Sequence, residues 1–195
     1  MNYPSGIKKC FQHQKNYSNR GMSLENDINC TNEYYLNSNI AVIYKKPTPI
    51  TIVDVNYPSR RDAVITKAYF KTPSTTDYNG IYKGKYIDFE AKETTNLTSF
   101  PLCNIHKHQI EHLKRIYCHG GISFLIIRFS KLNLTFLLTY EKLDYFLNNY
   151  DKKSISLDFL KKHATQIHDK YNPRIDYLDI IDKMYFKGEF YEKEV

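Results

Sequence analysis

Asp77-Tyr78-Asn79-Gly80-Ile81-Tyr82-Lys83-Gly84-Lys85-Tyr86-Ile87-Asp88-Phe89-Glu90-Ala91-Lys92 is the stretch on which the fold turns. It reads as a β-hairpin whose second arm alternates: Ile87, Phe89 and Ala91 fall on one face, and Tyr86, Asp88, Glu90 and Lys92 on the other. Two turns compete. A two-residue turn at Lys83-Gly84 sets Asp77 opposite Glu90 and Thr75 opposite Lys92, all on one face. A turn at Asn79-Gly80, the stronger hairpin signal by composition, takes Asp77 away from Glu90 and leaves Gly84 inside a strand. Pattern alone does not choose between them. In the first register two like charges face each other, an arrangement that favours a bound cation. Carboxylate and hydroxyl oxygens suit Mg2+, and the neighbouring lysine supplies positive charge where a phosphate would lie. A solvated strand face with a Glu-Lys pair is the bland alternative.

Working outward, Gly21 to Asn39 reads as a helix with Leu24, Ile28, Thr31 and Tyr35 on one face and Glu25 near its start. A short strand follows at Ile40–Tyr44. From Lys46 to Pro73, prolines 47, 49, 58 and 73 mix with β-branched residues and with Arg60, Arg61, Lys67 and Lys71. This predicts an extended excursion with strand pairing between Ile50–Val55 and Ala63–Phe70, since a loop this long is usually functional. Beyond the hairpin, Asn104–Cys118 is helical and closed by Gly120-Gly121, Ile122–Phe129 and Leu134–Thr139 are apolar strands, and helices are expected over 141–149, 157–168 and 175–186. Strands between helices give an α/β class with a mixed sheet.

The chain of 195 residues is long enough to bury a core without staples. It carries 28 basic and 21 acidic residues, a formal charge of +7. Its pI is near 9.0 and its mean hydropathy −0.57. Much of the basic excess is Lys in a sequence also rich in Asn, Tyr and Ile, which fits AT-rich coding. Position is more informative: Met1 to Arg20 holds Lys8, Lys9, Lys15 and Arg20 and no acid, an arm drawn to phosphate. No apolar signal segment or membrane-length run is present, so a cytoplasmic protein without membrane contact is expected. Cys10, Cys30, Cys103 and Cys118 are scattered and read as reduced thiols.

Five motifs together are more specific than any of these. Asn19-Arg20-Gly21-Met22, Lys45-Lys46-Pro47-Thr48-Pro49, Ser74-Thr75-Thr76-Asp77-Tyr78-Asn79-Gly80, Tyr86-Ile87-Asp88-Phe89-Glu90-Ala91-Lys92-Glu93 and Tyr171-Asn172-Pro173-Arg174-Ile175-Asp176-Tyr177 resemble the RecU family. These are Holliday-junction resolvases of low-GC Gram-positive bacteria and mollicutes, within the PD-(D/E)xK nuclease superfamily. The likeness runs from about Asn19 to Phe186. It implies a restriction-endonuclease-like mixed central sheet flanked by helices, with an inserted projecting stalk over about 46–73. One nuclease domain over 19–186 would lie between a flexible basic arm, 1–18, and a tail, 187–195. It implies metal ligands at Thr75, Asp77, Glu90 and Gln109, a transition-state lysine at Lys92, and an acid, Glu25, approaching from the first helix. Lys45, Arg60, Arg61, Phe70 and Arg20 would contact DNA. The implied cofactor is Mg2+, with Mn2+ as substitute; the implied partners are four-way junction DNA, a second copy of the chain, and the recombinase RecA. Paired symmetric nicks in recombination and repair would follow. Whether Lys92 stabilises charge or orients water, and whether one metal acts or two, stays open.

Rival readings remain. His108-Gln109-Ile110-Glu111-His112 matches the inverted zinc-peptidase motif, a cheap match in a chain with 7 histidines. A non-catalytic junction-binding module would keep the arm and stalk but not need Glu90. A nuclease of linear duplex would keep the acids but not need the stalk.

Overall fold

The computed structural model describes residues 23–71 and 75–186. The first helix, α1, spans Leu24–Asn37. It is shorter than the 21–39 expected because Ser23 caps it, its hydroxyl accepting from Asn26 N at 3.4 Å. Leu24, Ile28, Thr31 and Tyr35 are all buried, as their spacing predicts. Arg20 lies outside the described residues.

Six strands form the central sheet, in the order β1-β4-β5-β7-β8-β10. They are β1 (Val42–Lys45), β4 (Tyr78–Tyr82), β5 (Lys85–Thr94), β7 (Ile122–Phe129), β8 (Leu134–Thr139) and β10 (Thr165–Ile167). Only β5 and β7 pair in parallel; the remaining neighbours are antiparallel. The crossover from β5 to β7 carries β6 (Ser99–Pro101) and α2 (Lys107–Cys118). All eight residues of β7 are buried. A strand covered on both faces needs a largely apolar sequence, and the two polar residues of β7 are bonded inside, Ser123 to Leu113 O and Arg128 to Asp27. On one face of the sheet, α1 and α5 (Tyr177–Tyr185) pack Leu24, Ile28, Leu178 and Ile181 against Ile87, Phe89, Phe124 and Ile126. On the other, α2, α3 (Tyr140–Asn149) and α4 (Leu157–His163) pack Leu113, Leu143, Phe146 and Leu160 against Leu125, Ile127 and Leu138. β9 (Ser154–Ser156) pairs with β6.

α2 closes as Gly120-Gly121 predicts. Gly120 N donates to Tyr117 O at 3.0 Å and Gly121 N to Ile116 O at 3.0 Å, with Gly120 at φ 81°. This paired closure is the Schellman arrangement. The helix expected over 157–168 is divided. It ends at His163, and Thr165–Ile167 becomes the edge strand β10 against β8. Periodicity did not reveal this three-residue strand, because only its pairing with β8 defines it.

The hairpin turns at Lys83-Gly84, with both residues at positive φ (46° and 73°), and Tyr82 faces Lys85. That is the two-residue turn whose twist suits antiparallel strands. Gly80 is not a turn residue. It sits opposite Ile43 of β1, where a Cβ would lie 2.1 Å from Val42 O. Glycine is there for close backbone approach, so the stronger turn signal is a packing signal.

Between β1 and β4 the chain leaves the sheet as a two-stranded ribbon, β2 (Ile50–Asn56) with β3 (Val64–Phe70). Every side chain of both strands is exposed. Val53 of β2 and Thr66 of β3 each fall out of the register, two irregularities that cancel. Among the described residues no helix is long and apolar enough to cross a membrane.

Candidate active site

Three elements bring the acidic residues together. β5 carries Glu90 and Lys92. The loop entering β4 carries Thr75, Thr76 and Asp77, and the first turn of α1 carries Glu25. The hairpin register is the one that opposes Asp77 to Glu90, since Tyr78 faces Phe89 one position inward. Asp77 N donates to Glu90 Oε2 at 3.0 Å. Lys92 Nζ lies 2.7 Å from Glu90 Oε1. Ser23, Leu24, Glu25, Asp77, Tyr78, Ala91 and Glu93 line one open cleft, so Glu25 and Asp77 share a wall although they lie far apart in sequence.

The polar face of β5 is not solvated. Glu90 and Asp88 are both fully buried, because α2 lies over that face. Burial, the largest cause, raises Glu90 from 4.5 to about 7, with Asp77 adding to the rise and Lys92 opposing it. A carboxyl group that is only partly ionised near neutral pH lacks a sufficient countercharge. An added cation would supply one.

The other expected ligands have local partners. Gln109 is buried on the first turn of α2, and its Oε1 accepts from His106 N at 3.0 Å. The Thr75 hydroxyl donates to Thr76 O at 3.4 Å. Lys45, expected on DNA, lies 2.5 Å from Glu25 Oε1 at the edge of the cleft. Both partners are about half exposed, so the pair adds little stability. Arg60 and Arg61 stand at the tip of the ribbon and Phe70 at its base, where Phe70 is 84% exposed. None of the three lines the cleft that holds Glu25 and Asp77.

The sequence reading missed the centre of the buried face. Asp88 Oδ2 receives Lys46 Nζ at 2.8 Å and Tyr86 OH at 3.1 Å, and lies 3.2 Å from His112 Nε2. Its Oδ1 accepts a short bond from the Thr76 hydroxyl. The signal was present as a third acid alternating with Glu90, but nothing in the alternation said that the face would be covered. His112 is thereby committed to a carboxylate. Among the described residues no group of three or more His, Cys, Asp or Glu side chains converges as a metal cage. Glu93 was also missed: its Oε2 accepts from Leu24 N at 3.1 Å, an acid at the positive end of α1.

The motif around Asn172-Pro173-Arg174 has a structural place. Asp27 of α1, fully buried, takes Arg128 at 2.5 Å and Arg174 at 2.9 Å. Tyr35 OH donates to Asp176 at 2.8 Å, and Ile175 N to Thr31 Oγ1 at 3.1 Å. These bonds hold α1, and with it Glu25, in position against the sheet.

The chain is thus a mixed sheet flanked by helices, with an acid-x-lysine strand opposed to a second acid. The family model for RecU, recombination protein U, matches residues 19–183. Holliday junction resolvase RecU of Oceanobacillus iheyensis is 56% identical over 196 residues, covering 95% of this chain and 100% of its own. Holliday junction resolvase RecU of Staphylococcus aureus is 53% identical over 199 residues, 94% of this chain and 96% of its own. The chain belongs to the RecU family. Among solved structures, Archaeoglobus fulgidus Hjc, a Holliday junction resolvase from an archaeal hyperthermophile, aligns with a TM-score of 0.42 at 10% identity, over 73% of this chain and 93% of that one; a likeness so distant carries no argument.

Proposed function

We propose that this chain is a metal-dependent endonuclease that resolves four-way DNA junctions by paired, symmetric nicks. The observation that carries the reading is Glu90: a fully buried carboxylate held by Asp77 N–H on one oxygen and Lys92 on the other, beside a cleft walled by Asp77 and Glu25. Thr75, Asp77, Glu90 and Gln109 offer only oxygen donors among their acceptor groups, which fits a hard cation such as Mg2+ or Mn2+. When bound, the metal would polarise the phosphoryl oxygen and lower the pKa of a water molecule.

The protein's own residues do the rest. Asp77 and Glu25 place carboxylates in the wall of the cleft, Glu25 already paired with Lys45. Lys92, 2.7 Å from Glu90, would place a positive charge where the phosphate would lie, to offset the negative charge growing on the phosphorus oxygens or to orient the attacking water. On this reading residues 19–186 are one nuclease domain with the stalk at 46–73, a basic arm at 1–18 and a tail at 187–195. The ribbon supports the stalk assignment, since Ile50, Ile52, Val64 and Phe70 are exposed and suited to cover by DNA or by a second copy of the chain. Arg60 and Arg61 at its tip would neutralise phosphates at the crossover, and Phe70 would stack on a base. A two-fold dimer would present two sites to a junction of matching symmetry. Modulation of RecA belongs to the same reading and is measured by strand exchange in its presence.

The test uses a labelled four-way junction and a linear duplex of the same arms in Mg2+, with Asp77→Asn as control. Symmetric nicking of the junction alone, lost in the variant, is the expected result. Equal cutting of both substrates would leave a nuclease without junction preference. Tight junction binding without cutting would leave a non-catalytic module.

A further inference from the structure

We infer that Lys46 and Asp88 are positioning residues, whose buried ion pair fixes the Asp77 loop against Glu90 and ties that geometry to the root of the stalk. Residues 75–77 lie outside any strand, so the carboxylate of Asp77 has no sheet ladder to hold it. Four contacts hold the loop that carries it. Asp77 N donates to Glu90 Oε2 at 3.0 Å, and Lys46 N donates to Asp77 O at 2.7 Å. Thr76, 2% exposed, is bonded through its hydroxyl to Asp88, and Lys46 Nζ donates to that hydroxyl at 2.9 Å.

Lys46 therefore grips the loop twice, through its backbone and its ammonium, and anchors both grips on Asp88 at 2.8 Å. Asp88 is fully buried, and His112 and Tyr86 complete its shell. Lys46 is also the first residue after β1, where the ribbon begins. Lys46 thus links the loop of the site to the segment that leads into the ribbon. The ammonium is spent inside the protein, so it is not a phosphate contact, in contrast to Arg60 and Arg61 at the tip.

The inference rests on the nuclease reading above. Failure of that reading shows as a wild-type protein that does not nick junctions; failure of the inference shows only in the variants. Lys46→Met, Asp88→Asn, the double variant and Lys46→Arg are compared in three measurements. These are single-turnover junction cleavage in Mg2+, junction affinity in EDTA across a salt series, and Mn2+ binding to DNA-free protein by electron paramagnetic resonance. Cleavage in the single variants is expected to fall about 100-fold, as for a misplaced reacting group. Mn2+ affinity should fall roughly tenfold, as when a residue supporting a metal ligand is lost. Junction affinity and its salt slope should stay at wild-type values, and Lys46→Arg should regain most of the rate. An affinity loss with the salt slope reduced by about 1 and an unchanged rate would make Lys46 a phosphate contact and overturn the inference. Where a single variant fails to fold, the double variant, which leaves no unpaired buried charge, carries the measurement. A slow, folded double variant supports positioning; one cutting at the wild-type rate refutes it.

Discussion

At the scale of single residues, Glu90 responds to pH near neutrality. Its carboxyl group ionises near 7 in the fold against 4.5 ordinarily, chiefly through burial. The folded protein therefore keeps this proton across a window in which the unfolded chain has lost it. The stability it contributes is complete below about 4.5 and is lost as pH rises through 7. Glu90→Gln should consequently remove the loss of stability that metal-free protein shows as pH rises from 4.5 through 7, while abolishing cleavage, measured by urea unfolding across that range and the junction assay. In wild type, Mg2+ must compete with that proton, so cleavage at sub-saturating Mg2+ should rise with pH up to about 7 and then level. Gly80 and Gly84 separate by the same kind of reasoning. Gly80→Ala puts a Cβ into the β1 backbone and should cost about 2–3 kcal/mol. Gly84→Asn, in open space at positive φ, should be close to neutral by thermal melting. Composition ranked these two glycines the other way as turn formers, because a dipeptide cannot report which strand will lie across it.

Among elements, α1 and the alternation of β5 were legible because period alone separates their polar residues from their apolar ones, whereas pattern left the turn of the hairpin open between Lys83-Gly84 and Asn79-Gly80. β10 was not, since three residues have no period. The buried polar face of β5 was not either, because it is made by α2, which packs from more than a dozen residues further along the chain. The acids and lysine of the candidate site could be read from their alternation, whereas Lys46, Thr76 and His112 meet only in three dimensions. The anchoring of α1 is of the same kind. Asp27→Ala would take from Arg128, whose side chain is 9% exposed, its shortest ion pair, and should lower stability by about 3–5 kcal/mol in chemical unfolding. The ribbon behaves differently. β1 and β4 are neighbours in the sheet, so replacing 48–71 with a short turn keeps Lys46 and leaves an ordinary hairpin connection. The shortened protein should fold with stability near that of wild type by thermal melting and lose junction cleavage; retained cleavage would refute the stalk role.

For the whole molecule, charge governs encounter with the substrate. A formal +7 and a basic first twenty residues predict phosphate-dominated binding. With 6–10 phosphate contacts, junction affinity should fall by about 10³–10⁵ between 50 and 200 mM salt, followed by fluorescence anisotropy with Glu90→Gln. A shallow slope would point to stacking on the ribbon aromatics instead.

The placement of the ribbon has one more consequence. Glu25, Lys45 and Lys46 precede it in the chain, while Asp77, Asp88, Glu90 and Lys92 follow it. The candidate site is thus a seam between an amino-terminal piece and a carboxy-terminal piece, stitched by β1 on β4 and by Asp27 to Arg128 and Arg174. Cutting the backbone at the ribbon tip, between Ser59 and Asp62, would divide the site without dividing either half of its scaffold. The two fragments, expressed separately, would be a split enzyme that regains its chemistry only by complementation.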